Sequence, residues 1–106
     1  MPDLKWAIVA FVASLETHNH RMSELALKYI GKQEMDRGMA MPDLWFKKQW
    51  YINRVRDLSV QAGRCSERLR RCKLNSPTWK RYETVERELS SLADELSLDL
   101  ISLGHH

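Results

Sequence analysis

An all-α fold, an antiparallel up-down-up bundle of three long helices, is predicted by three observations on this sequence. Along residues 51–72, Tyr51, Val55, Leu58, Ala62, Cys65, Leu69 and Cys72 step by 4, 3, 4, 3, 4, 3, an unbroken heptad seam with charged residues between its members. A second seam, Tyr82, Val85, Leu89, Leu92 and Leu96, runs in mirror order away from a short turn at Asn75. A third, Leu4, Ile8, Phe11, Leu15, His18, Met22, Leu25 and Tyr29, keeps the same alternation without a slip. Composition agrees: 43% hydrophobic and 29% charged residues with only 4 Gly and 3 Pro describe a helix-rich globular chain rather than a disordered one. At 106 residues the chain is expected to form one domain over residues 1–103 with a single modest core, and Gly104-His105-His106 reads as the remnant of an affinity tag.

Helix 1 is expected over about residues 3–32. Pro2 and Asp3 suit a helix start, where the unpaired amides need no partner from proline and the positive end of the dipole favours an acid. Thr17-His18-Asn19-His20 has weak helix propensity and is the candidate break, but the seam keeps phase through it and favours one continuous helix. Gly31 and residues 33–40, with Asp36-Arg37-Gly38 inside them, read as the stop and the turn. Met41-Pro42-Asp43-Leu44 then repeats Met1-Pro2-Asp3-Leu4 at a spacing of 40 residues and marks a second helix start; shared start chemistry explains the repeat as well as duplication does. Helix 2 is expected over about 43–73, with Gly63 its one weak interior point, and helix 3 over 77–102, entered through Ser76 as N-cap and Pro77 at the first helical position.

The register follows from the turns. Around Asn75, Leu69 meets Tyr82, Cys65 meets Val85, Ala62 meets Leu89, Leu58 meets Leu92 and Val55 meets Leu96. Around the first loop, helix 1 is expected to lie along helix 2, with Leu25 on Tyr51, His18 on Leu58, Leu15 on Ala62, Phe11 on Cys65 and Leu4 on Cys72. Large side chains on the outer helices would then nest against small ones on the middle helix.

The pattern argues against several function classes. No glycine-rich phosphate loop is present, and no helix-turn-helix, zinc-finger or basic-region spacing. Glu16, His20 and Glu24 share a helix face but lack the Glu-x-x-His pair of bundle metal sites, so neither a metal nor another cofactor is expected. Cys65 and Cys72 lie about 10.5 Å apart along one helix, too far for a disulfide, and read as small seam residues of a cytoplasmic protein. The longest apolar run, residues 7–13, falls well short of the ~20 residues of a membrane span, and no basic region precedes it to make a signal peptide.

Three surfaces carry the functional expectation. Trp6, Val9, Ala10 and Ala13 lie off the seam and make the first half of helix 1 apolar nearly all round, which points to a self-association or partner face. Trp45, Phe46 and Trp50 sit beside Lys47 and Lys48 at the start of helix 2 and read as an aromatic hot spot or a core cap. At the tip of the hairpin between helices 2 and 3, Arg64, Arg68, Arg70, Arg71, Lys73, Lys80 and Arg81 face one acid, Glu67. The acids of residues 83–99 run back beside Lys47, Lys48, Arg54 and Arg56, which are expected to answer them. The leading expectation is a non-enzymatic small helical adaptor or inhibitor that binds a protein partner and self-associates, a dimer ahead of a monomer, with no membrane. The alternative is a nucleic-acid-binding module using the basic tip.

Overall fold

The computed structural model describes residues 4–104. The expected starts at Pro2 and Asp3, and the tag histidines His105 and His106, lie outside the described residues. Four helices follow one another: α1 (Leu4–Tyr29), α2 (Lys32–Met39), α3 (Leu44–Arg71) and α4 (Pro77–Ser102).

The α3/α4 hairpin forms as the mirror seams require. Asp43 caps α3 by accepting from the Trp45 and Phe46 amides at 2.8 and 3.2 Å. Asn75 takes the left-handed backbone, φ 62°, that turns the chain in so few residues. Ser76 Oγ accepts from the Trp79 amide at 3.2 Å with Pro77 in the first turn, so α4 begins on the predicted cap. Inside the hairpin, Leu58, Ala62, Leu89, Leu92, Ala93, Leu96 and Leu100 are buried, and Val55, Cys65 and Val85 pack against them. The pairing of α3 with α4 is by far the most extensive in the molecule.

α1 is one continuous helix through residues 17–20, with Thr17 Oγ1 donating to the Ala13 carbonyl at 3.0 Å. Its placement corrects the expected bundle. Among the described residues α1 runs against α4 and α2 rather than alongside α3, so the expected α1/α3 register from Leu4–Cys72 to Leu25–Tyr51 is not adopted. Residues 33–40, expected as a turn, are instead the helix α2. Gly31, at φ 97°, ends α1 and begins α2: its amide donates to Ala26 O, and its carbonyl accepts from the Met35 amide. α2 then lies on Trp50 of α3, whose Nε1 donates to Glu34 Oε1 at 2.9 Å. With α2 occupying that face of α3, the last turns of α1 settle on α4 instead, through Leu25 and Ala26 with Met22 and Tyr29 beside them.

Glu34 ties α2 down electrostatically. The Arg37 side chain hydrogen-bonds its carboxylate, Nε to Oε2 at 3.0 Å, and together with the Trp50 indole holds its pKa down to about 2 against an ordinary 4.5. A carboxyl depressed in the folded state stabilises fully above its unfolded pKa, and that stabilisation is lost as pH falls through the folded value. Docking of α2 is therefore expected to weaken as pH drops from about 4.5 to about 2. Acid titration followed by the Trp50 indole proton checks this; Glu34→Gln should flatten that transition, and an unchanged transition in the variant would contradict it.

Candidate functional site

The molecule's most unusual surface is the first half of α1. Contact with α4 runs from Tyr29, whose hydroxyl donates to Glu88 Oε1 at 3.0 Å, to His18, whose Nε2 lies 3.1 Å from Glu95 Oε2. Lys28 Nζ donates to the same Glu88 oxygen at 3.0 Å. Burial works against ionisation of Glu88, yet its hydrogen bonds from Lys28 and Tyr29 outweigh burial and lower its pKa; the Glu88 bond raises that of Lys28. These contacts replace the expected answer to the acidic stretch: Glu88 and Glu95 are met by α1 rather than by Lys47, Lys48, Arg54 or Arg56. Arg54 pairs with Asp57, and Glu83 with Arg87 one turn along α4.

Beyond His18, α1 leaves the body of the protein as an arm. All of residues 4–21 are exposed. Trp6 stands 72% exposed, and Val9, Ala10 and Ala13 of the predicted face are open with it. The seam itself is open as well: Leu4 and Phe11 are 73% and 64% exposed, and Ile8 and Leu15 remain uncovered. Residues 4–15 hold one charge, Lys5, and a helix apolar on every side needs neighbours on more than one side. The heptad pattern marks Leu4, Ile8, Phe11 and Leu15 as inward-facing and only the off-seam Trp6, Val9, Ala10 and Ala13 as a partner face; the seam spacing fits a partner face equally well, because a seam does not say which chain fills it.

The aromatic cluster at the start of α3 divides. Trp50 is buried at 3% exposure against Gly38 and edge-on to Tyr51, so it belongs to the core and not to the predicted partner face. Trp45 and Phe46 point outward, edge-to-face at 5.1 Å, with Leu44 exposed beside them.

At the hairpin tip Arg68 is engaged, its Nη1 donating to the Tyr82 hydroxyl at 2.8 Å and its guanidinium over the same ring. Arg70 lies 3.8 Å from Glu67. Among the described residues Arg64, Arg71, Lys73, Lys80 and Arg81 make no ion pair, and Trp79, in the first turn of α4, is half-buried. Cys65 on α3 and Cys72, the residue that caps its C-terminus, are free and half-buried.

A shallow cleft of about 310 Å³ lies where α1, α2 and α4 meet, lined by Asn19, Met22, Met35, Leu92, Glu95 and Asp99. Burial, reinforced by the charge of Glu95, raises the pKa of Asp99. Ser23 lines the same cleft, with no histidine beside it, and among the described residues no three His, Cys, Asp or Glu side chains gather to hold a metal. His20 instead pairs with Glu24 at 2.9 Å along the surface of α1. Among the described residues no helix is long and apolar enough to cross a membrane.

No family model, no curated protein and no solved structure matches the chain.

Proposed function

We propose that this chain is a non-enzymatic helical adaptor or inhibitor of the cytoplasm that works by presenting the arm of α1 to another amphipathic helix. The supporting observation is the exposure of a complete heptad seam and its apolar reverse side on one projecting segment, residues 4–15. Such a surface matches the way helices recognise helices, through anchors at i, i+3, i+4 and i+7. Its energy would be concentrated in a few large side chains, with Trp6 and Phe11 the foremost.

A photoreactive amino acid placed at Val12, which flanks the seam and is exposed, on the full chain in its source cell, tests this. Discrete protein adducts are expected from Val12 and are expected to vanish with Ile8→Glu/Phe11→Glu, while far-UV dichroism and the melting of the α3/α4 hairpin stay unchanged. Adducts that survive the charged arm, or no adducts at all, would overturn the reading.

The unanswered cations of the hairpin tip favour a second reading, an anionic partner such as nucleic acid held by Arg64, Arg71, Lys73, Lys80 and Arg81. Binding of random DNA and RNA over a salt series decides it: affinity that falls steeply with salt and is lost in Arg70→Glu/Arg71→Glu supports it, and no binding at low salt rejects it.

A further inference from the structure

The occupant of the arm's seam can be argued from the geometry of the arm itself. A compact monomer of this 12.5 kDa mass exposes roughly 6,200 Å², and this chain exposes 8031 Å². The radius of gyration is 17.0 Å where a compact chain of this length has about 13 Å. The excess, roughly 1,800 Å², is more than twice the ~800 Å² that each partner contributes to a standard stable interface. Residues 4–21 of α1, exposed throughout, contribute to it.

The seam of the arm is palindromic in spacing. Leu4, Ile8, Phe11 and Leu15 step by 4, 3, 4, so an identical arm laid antiparallel about the midpoint between Val9 and Ala10 sets Leu4 against Leu15 and Ile8 against Phe11. That midpoint is also the centre of the apolar stretch 4–15, so each of its four seam residues meets an apolar partner. A two-fold interface requires one patch to be complementary to itself, and these pairs each join apolar partners. Ala7 and Ser14, flanking the seam on one side, are small enough for close approach of the backbones. The arm carries a single charge, Lys5, and antiparallel pairing sends the two copies of Lys5 to opposite ends, so no like charges oppose.

We infer that the partner of the arm is a second copy of this chain, and that the two α1 arms pair antiparallel over about 18 Å of helix to make a two-fold dimer. This rests on the reading of the arm as a protein-binding face and names its occupant. The bodies of the two protomers then lie at opposite ends of the arm pair, leaving Trp6, Val9, Ala10 and Ala13 on the reverse side of it.

Sedimentation equilibrium of the full chain over a wide concentration range gives the first readout. A mass twice the 12.5 kDa of one chain is expected, with at least a tenfold weaker dimer in Phe11→Glu. Because the arm lies outside the buried core, that variant is expected to keep the melting of the hairpin. The register is read by disulfide trapping in a Cys65→Ala/Cys72→Ala background: chains carrying Ile8→Cys and chains carrying Phe11→Cys should cross-link to each other when mixed and poorly to themselves. Efficient self-linking of Ile8→Cys would mean a parallel pair and overturn the inference. A chain that stays monomeric while Val12 photo-adducts form with other proteins overturns the self-pairing and leaves the proposed function standing; a monomer without adducts overturns both.

Discussion

Leu89→Asp is expected to abolish the fold. Leu89 is 1% exposed in the middle of α4, facing the side of α3 that carries Ala62 and Cys65 and reached from the other side by Tyr29 of α1. Losing the leucine contacts costs about 2–5 kcal/mol by itself, and a carboxylate with no partner there adds several more. A chain of this size has a total stability of about 5–15 kcal/mol, and an open four-helix arrangement with one arm unpacked sits toward the lower end. The substituted chain should therefore show little helical dichroism and no cooperative melting at neutral pH. Leu98→Asp is the control, since Leu98 lies about two and a half turns along the same helix, on the opposite face, at 60% exposure, and a surface change there should move stability by no more than about 0.5 kcal/mol. A cooperative, near-native melt for Leu89→Asp would mean that the mirrored seams do not close on each other.

The contrast between the two halves of the chain shows what could be read from residues alone. The α3/α4 hairpin was legible because everything that specifies it is local: the seams, a turn residue able to take positive φ at Asn75, a cap at Ser76 and a proline beside it. The continuity of α1 through Thr17-His18-Asn19-His20 was legible for the same reason, since the phase of the seam outweighed weak propensities. The direction of α1 was not. A heptad seam states which face of a helix is apolar and is silent on whether α3, α4 or a second chain covers it, and both hairpin helices offer an apolar side. Two tertiary facts decided it. Residues 32–39 became a helix although Asp36-Arg37-Gly38 resembles a turn, because Met35 and Gly38 dock inward and Glu34 is held by Arg37 and Trp50. That helix then took the place on α3 that α1 was expected to fill. Of the candidate sites, the apolar reverse side of α1 and the basic tip lie on the surface as the sequence predicts, Trp50 lies in the core, and the seam of the arm, which the heptad pattern places inside, is open.

Gly38→Ala should destabilise the protein, whereas Gly63→Ala should stabilise it, although both glycines are helical and alanine is the better helix former by about 0.8–1.0 kcal/mol. At Gly63 an added Cβ meets nothing within 4 Å, so the propensity gain is kept nearly whole and the unfolding free energy should rise by about 0.5–1 kcal/mol. At Gly38 the Cβ would stand 2.3 Å from Cε2 and 2.5 Å from Cδ2 of Trp50. The indole has no room to give: it is 3% exposed, edge-on to Tyr51, and bonded through Nε1 to Glu34 one turn earlier on the same short helix. Relief of the overlap must therefore lift α2, which breaks the indole bond and loosens the seat of Met35 beside α1. Overpacking of this kind costs about 1–3 kcal/mol and more where a helix is displaced, so the net effect is a loss of about 1–3 kcal/mol after the propensity gain. Urea melts of the two variants give the sign directly. A double-mutant cycle then separates the clash from any general weakness of α2: in a Trp50→Leu background, itself costly, Gly38→Ala should turn neutral or mildly stabilising, a coupling of about 2 kcal/mol or more between the two positions. If Gly38→Ala instead raises stability as Gly63→Ala does, α2 does not rest on Trp50, and the reason given for α1 turning onto α4 falls with it.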